Sequence, residues 1–202
     1  MKVNPKLLTM KAFLSLFMIL AAFSAFSQSQ PSKDIQIKMA VLAAPEDQRA
    51  NATVYGYADG KIVLLRQGNN ETVCLADDPS REGLSVACYH KSAQAFMARG
   101  WKLREEGKSA QEIFDIREAE AKAKKLKLPD QGSVLHALTA DESDINWTNG
   151  EVKNSYVRSV VYIPWATAES TGLPLKPAGP GLPWIMDPGT HRAHIMINPK
   201  RD

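Results

Sequence analysis

The sequence predicts an α+β domain in which an antiparallel β-sheet packs against an αα-hairpin. Three observations predict it: an Asp-Gly turn between two apolar segments at 53–66, a capping-box pattern at 109–112, and an ordinary globular composition. Of the 202 residues, 44% are hydrophobic and 23% are charged, which excludes collagen-like, coiled-coil and wholly disordered classes. We expect a meander of about four strands, further C-terminal strands, and the helical pair over them.

The first 27 residues have the pattern of a secretory signal peptide. Three lysines precede an uncharged apolar run at 12–26, and residues 25–27 place small side chains where signal peptidase cleaves. A retained membrane anchor is the alternative, but the run is shorter than the roughly 20 apolar residues that span a bilayer. We therefore predict a signal peptide at 1–27, a polar linker at 28–34, and export to the periplasm or the extracellular space without stable membrane insertion after cleavage.

Cleavage at this position removes the net charge of the chain. The sequence has 25 basic and 22 acidic residues, and the predicted signal peptide contains three lysines and no acid, so 22 of each remain. A neutral mature chain gives no electrostatic reason to expect a nucleic-acid partner. Residues 35–202 are sufficient for a single domain with one core.

The two cysteines, Cys74 and Cys88, are predicted to form a disulfide, because an oxidising compartment favours pairing. They lie on predicted strands at 72–76 and 84–89, which a loop rich in Asp, Pro and Gly separates. The bridge would close a loop of about 15 residues and stabilise the domain by about 3 kcal/mol. The functional alternative is a Cys88 thiolate beside His90, since residues two apart on a strand share a face.

The four strands of the predicted meander lie within 53–90. The register of the Asp-Gly hairpin would place Tyr57 opposite Ile62 and Val54 opposite Leu65. Both faces of the hairpin then carry apolar side chains, which predicts a central position in the sheet.

Two helices are predicted after the meander. Ser92 would cap the first, Phe96 has core-facing spacing and Gly107 would end it. The capping box opens the second, and the lysines at 122–127 near its end indicate a solvated face, because cations are favourable at a helix C-terminus. The earlier apolar segment at 35–44 fits either a short helix or an edge strand.

Residues 164–190 combine six prolines and four glycines with seven large apolar side chains. The prolines and glycines oppose regular structure over most of the segment, and the apolar content is too high for a disordered tail. We expect an ordered loop that wraps the core, with Trp184 and Met186 filling gaps over the sheet. Strands at 156–163 and 193–197 would flank it.

The C-terminal strand carries the clearest cluster of candidate metal ligands: His191, His194 and Met196, to which His90 could be added. On a strand His194 and Met196 share a face and His191 points away, so joint use requires the preceding turn to bend. A copper or zinc site is therefore one candidate. The alternative, in which these histidines only satisfy hydrogen bonds or lie exposed, predicts no cofactor.

No nucleophile elbow, Walker loop, zincin motif or dinucleotide fingerprint occurs, so the catalytic residues, if any, are unknown. The recognisable signals concern export and folding, which favours a non-catalytic envelope or secreted protein. Two alternatives stay open: a transition-metal binding protein, and an enzyme with a loop-built site in which His90 or His194 is the general base.

Six short segments carry a resemblance to known proteins: Leu65-Arg-Gln-Gly-Asn69, Cys74-Leu-Ala-Asp-Asp-Pro79, Ala87-Cys-Tyr-His90, Pro183-Trp-Ile-Met186, Pro188-Gly-Thr190 and Ala193-His-Ile-Met196. Together they resemble a group of exported bacterial proteins of unknown function. The resemblance covers most of the mature chain, and it implies bacterial export without implying an activity, a cofactor or a ligand.

Overall fold

Eight strands form one sheet in the computed structural model, which describes residues 30–200. The order across the sheet is β2-β1-β3-β4-β5-β8-β10-β9, and β6 and β7 pair separately. This mixed architecture with a large, mostly antiparallel sheet confirms the α+β part of the predicted fold class. The strands are β1 (Thr53–Ala58), β2 (Lys61–Arg66), β3 (Thr72–Leu75), β4 (Leu84–His90), β5 (Ser133–Ala140), β6 (Ile145–Asn146), β7 (Glu151–Val152), β8 (Tyr156–Tyr162), β9 (Trp184–Met186) and β10 (His194–Ile197).

Five α-helices lie within the described residues. Ser32 caps the first of them, which shows that the apolar segment at 35–44 begins as a helix and that this helix starts inside the predicted linker. No helix among residues 30–200 is long and apolar enough to cross a membrane. The helices are α1 (Lys33–Ala40), α2 (Glu46–Arg49), α3 (Gln94–Glu105), α4 (Ala110–Lys122) and α5 (Ala168–Thr171).

The predicted four-strand meander is wrong at the connection from β2 to β3. The chain crosses the start of β1 there, so β3 pairs in parallel with β1 instead of antiparallel with β2. The backbone N–H groups of Asn69 and Asn70 fix this crossing by donating to the Asn51 carbonyl at 3.0 and 3.3 Å. Gly68 is required at the crossing point, since an ideal Cβ would lie 2.2 Å from the Asn51 oxygen.

The β1–β2 hairpin forms with the predicted pairing of Tyr57 and Ile62. The pairing of Val54 with Leu65 is wrong, because the register shifts next to Val54 and places Arg66 opposite it. The Arg66 guanidinium donates to backbone carbonyls that precede β1, which accounts for the irregular end of the pairing. The central position predicted for this hairpin is also wrong, since β2 is an edge strand.

Apolar clusters cover both faces of the sheet. Alternation places Val73 and Cys74 in different clusters, as expected for neighbouring residues of a strand. Helix α1 contributes Met39 and Ala40 to one cluster, whereas α3 contributes Phe96 and Trp101 to the other. A bidentate contact between Arg99 and Glu120, with N···O distances of 2.6–3.0 Å, joins α3 to α4.

The Pro/Gly-rich segment 164–190 contains two regular elements, α5 and β9. Strand β9 pairs with β10, and its central Ile185 is almost fully buried. Trp184 packs against the cluster on the α3 face, but Met186 is 37% exposed, so its predicted gap-filling role is wrong. Leu175 and Leu182 are about half exposed, which shows that the wrapping is only partial.

Candidate functional site

A cleft of about 720 Å³ lies where β3 begins, β4 ends and β5 begins. Antiparallel pairing brings these three strand ends together, with Thr72 opposite His90 and Leu135 opposite Tyr89. Helix α2 and the turn before β5 complete the walls. The lining residues are Pro45, Gln48, Asn70, Glu71, Thr72, Cys88, Tyr89, His90, Asp130, Gln131, Gly132, Ser133, Val134 and His136.

Hydrogen bonds hold several of the polar lining side chains in place. The Thr72 hydroxyl donates to Gln48 Oε1 at 2.5 Å, and the Thr72 backbone N–H donates to Asn70 Oδ1 at 3.0 Å. His136 Nδ1 lies 3.2 Å from the Ser159 hydroxyl. These contacts tie α2 and the β2–β3 connection to the sheet, so the cleft wall is largely fixed before any ligand arrives.

The charges of the cleft disfavour anions. Glu71 and Asp130 contribute carboxylates, and none of its lining residues within the described chain is a lysine or an arginine. Lys91, which follows the lining residue His90, partly offsets Glu71 through an N···O contact of 2.6 Å. Burial lowers the pKa of His136, which keeps that imidazole neutral. The cleft therefore offers hydrogen-bonding groups with little positive charge.

His90 is the predicted metal ligand that lines the cleft. Its Nδ1 accepts the Ser92 backbone N–H at 3.2 Å and lies 2.9 Å from the Ser92 hydroxyl, which in turn lies 2.5 Å from the Ser133 hydroxyl. An accepting Nδ1 places the ring proton on Nε2, which is 3.7 Å from Glu71 Oε2. The predicted Ser92 cap of the helix is wrong, because the His90 side chain caps this turn and α3 begins after Ala93 without a side-chain cap.

The disulfide between Cys74 and Cys88 confirms the predicted bridge. The two residues are directly opposite each other on β3 and β4, and both are fully buried. Cys88 also lines the cleft. The bonded sulfur leaves no thiolate at Cys88, so the alternative nucleophile beside His90 is wrong.

His191 is buried in contact with α4 rather than paired with the other histidines. Its Nδ1–H donates to Glu118 Oε2 at 2.6 Å, and its ring lies against Phe96 and Phe114 with centroid distances of 5.7 and 4.9 Å. Burial lowers the pKa of His191 although Glu118 acts in the opposite direction, so the imidazole is neutral. Its Nε2 is buried without a hydrogen-bond partner.

His194 and Met196 are both buried on β10. His194 Nδ1 donates to the Arg192 carbonyl at 2.7 Å, and Met196 belongs to the cluster on the α3 face. Two strands, β5 and β8, separate β10 from the strand of His90, which corresponds to about 14 Å between the backbones. The structure therefore does not bring His90 to the C-terminal ligands. Within residues 30–200, no three His, Cys, Asp or Glu side chains form a group that could hold a metal ion.

No family model, curated protein or solved structure matches the chain. The chemistry of the cleft is therefore inferred from its own residues.

Sequence reasoning identified His90 and Cys88 but missed most of the cleft. Ser133 lies on β5, a strand that the apolar content of 133–140 could have indicated. Asn70 and Gln131 lie in turns. Polar residues are common in turns, so their presence there does not indicate a binding site.

Proposed function

We propose that the protein is an exported, non-catalytic binding protein whose cleft holds a small, neutral, hydroxyl-rich molecule. The observation that carries the proposal is the 720 Å³ cleft whose polar lining contains no lysine or arginine among the described residues. This volume lies within the range of about 300–1,000 Å³ that is typical of small-molecule sites. A monosaccharide or disaccharide is the ligand class that fits.

The chemistry of the lining supports a hydroxyl-rich ligand. A ligand hydroxyl both donates and accepts hydrogen bonds. The lining offers amides and imidazoles, which can donate and accept, and carboxylates, which accept. Because Thr72, Asn70 and His136 already have protein partners, little side-chain entropy is lost on binding. An anionic ligand would instead meet the carboxylates of Glu71 and Asp130.

The disulfide supports export, since such bonds persist in oxidising compartments. The predicted signal peptide at 1–27 also supports it, although that segment and the first two residues of the predicted linker lie outside the described residues. The predicted location is the periplasm or the extracellular space, and the resemblance to exported bacterial proteins agrees with it.

A thermal-shift panel tests the binding proposal. Its members are D-glucose, D-galactose, D-ribose and maltose, with D-glucose 6-phosphate as the charged counterpart of glucose. A neutral sugar present at about 100 times its Kd stabilises the folded protein by about 2.7 kcal/mol, which raises Tm by about 5 °C or more. Equal shifts with glucose and glucose 6-phosphate, or no shift with any neutral sugar at 10 mM, would contradict the proposal.

An acyl-transfer enzyme is the second candidate, and the hydroxyl chain from Ser133 through Ser92 to His90 favours it. His90 would be the general base and Ser133, which lines the cleft, the nucleophile. A fluorophosphonate probe and p-nitrophenyl acetate separate the two functions. Covalent labelling that Ser133→Ala abolishes and Ser159→Ala preserves would favour the enzyme, and absence of labelling would favour the binding protein.

The copper or zinc proposal is now limited to His191, His194 and Met196, because His90 lies on a distant strand. Metal analysis of protein purified without chelators tests it. One equivalent of copper or zinc, lost in His194→Ala, would support a metal-binding function, whereas metal-free protein agrees with the binding proposal.

A further inference from the structure

A second pocket, of about 230 Å³, lies between α3, α4 and the loop that follows β3. Its walls carry charges of both signs, two aromatic rings and aliphatic side chains. The lining residues are Tyr57, Leu75, Ala76, Asp77, Asp78, Arg81, Ser85, Ala87, Met97, Gly100, Trp101, Arg104, Ile113 and Arg117.

Arg117 is the least exposed of the three arginines that line this pocket. Its guanidinium carbon lies 3.3 Å from the centroid of the Phe96 ring, and its Nε is buried without a hydrogen-bond partner. No ion pair among the described residues involves Arg117. Gly100 leaves room for the guanidinium, because an ideal Cβ there would lie 2.8 Å from Arg117 Nη1.

The opposite charge comes from Asp77, with Asp78 beside it. Asp77 accepts the Ser85 backbone N–H at 2.7 Å, yet burial raises its pKa to about 7. Burial likewise lowers the pKa of Arg117 to about 10. Each group is thus partly desolvated without an ion-pair contact, although both line the same pocket. Arg81 lowers the pKa of Asp77 and Glu120 raises the pKa of Arg117, but burial is the larger influence on each.

The charged side chains of this pocket do not neutralise one another through ion pairs. Asp77 and Asp78 form no ion pair with Arg81, Arg104 or Arg117 within the described part of the chain. A ligand with a single charge would compensate one buried group and leave the other as it is. A ligand with both charges would compensate both, which is the larger gain in a partly desolvated site.

We propose that this pocket binds a small aliphatic α-amino acid as its zwitterion, with the carboxylate on Arg117 and the ammonium group on Asp77. The aliphatic side chain packs against Met97 and Trp101, which line the same space. A cavity of about 150 Å³ holds benzene, so 230 Å³ is sufficient for a molecule of about nine non-hydrogen atoms, the size of leucine. This site is separate from the cleft of the proposed function, and the two share no lining residue.

Calorimetric titration of the unmodified protein with three matched probes tests the ligand class. L-leucine carries both charges, 4-methylpentanoate lacks the ammonium group, and 3-methylbutylamine lacks the carboxylate. We expect leucine to bind at least about tenfold more tightly than either singly charged probe. Equal binding of one singly charged probe, or no binding of leucine at 10 mM, would overturn the proposal.

Two substitutions test the assigned contacts. Arg117→Met and Asp77→Asn should each weaken leucine binding by about tenfold or more. The matched controls are Lys102→Met on α3 and Asp47→Asn on α2, both at exposed positions, which should leave the affinity unchanged. Thermal unfolding of each variant verifies that it is folded. Unchanged affinity in either folded pocket variant would overturn the assignment, and the sugar panel on the same variants separates this result from the behaviour of the cleft.

Discussion

Glu118 on α4 holds the buried His191 through two hydrogen bonds, from the ring Nδ1–H at 2.6 Å and from the backbone N–H at 2.9 Å. The two residues are 73 positions apart in the chain. This contact fixes the turn that precedes β10 against α4, and it explains why a histidine can be fully buried there.

Glu118→Ala should destabilise the protein by about 2 to 4 kcal/mol, because both donors of His191 would be left buried and unpaired. Lys122→Ala, which removes only the exposed partner of the same carboxylate, should cost less than about 1 kcal/mol. Urea denaturation of the two variants measures the difference. Equal costs would show that the pair with His191 does not stabilise the fold.

Asp77→Asn should stabilise the protein above pH 7. The folded protein raises the pKa of Asp77 from 3.8 to about 7, mainly through burial, so the stability that Asp77 contributes at low pH is lost as the pH rises through about 7. The asparagine keeps the acceptor for Ser85 without the charge. We expect its Tm to exceed that of the wild type by about 2 to 4 °C at pH 8, and the difference to shrink toward pH 4. A difference that is independent of pH would contradict this origin.

Gly68→Ala should destabilise the protein by about 3 kcal/mol or more. A Cβ at this position would lie 2.2 Å from the Asn51 oxygen and 2.4 Å from the Thr53 nitrogen, and backbone atoms cannot move aside cheaply. Gly179→Ala is the matched control, since its nearest contact is an ordinary 3.5 Å to Leu182. Thermal melts of both variants should show a large loss only for Gly68→Ala. Similar melts for the two would show that the crossing over β1 is not tightly fixed.

The exported protein should begin at Gln28 and contain the Cys74–Cys88 peptide pair on non-reducing mass spectrometry. Replacing both cysteines by alanine should cost about 3 kcal/mol, as expected for a loop of this length. N-terminal sequencing of the fractionated protein provides the first result. An intact Met1 in the membrane fraction would instead show a retained anchor.

Local signals predicted the parts of the fold that depend on neighbouring residues. The Asp-Gly turn correctly predicted the β1–β2 hairpin, and the Ser109–Glu112 capping box correctly predicted the start of α4. The position of β3 was not predictable in this way, because it depends on hydrogen bonds between the β2–β3 connection and Asn51, and those form only once the chain has folded back.

The candidate site was predictable only in part, for a related reason. Cysteine count and compartment predicted the Cys74–Cys88 bridge, of which Cys88 lines the cleft. The predicted ligand cluster at His191, His194 and Met196 was based on sequence spacing alone. Spacing could not show that His191 donates to Glu118 or that His194 donates to a backbone carbonyl. Ser133 and Asp130 reach the cleft because β5 pairs with β4, a long-range contact that residue types alone do not encode.

An amide NMR titration with the neutral sugar that gives the largest thermal shift tests the cleft most directly. The proposed function predicts chemical-shift changes concentrated at Asn70, Gln131 and Ser133, and at least a tenfold loss of affinity in Asp130→Ala, whereas Asp59→Ala in the β1–β2 turn binds normally. Shift changes that map elsewhere on the protein, or an Asp130→Ala variant that binds as the wild type does, would contradict it.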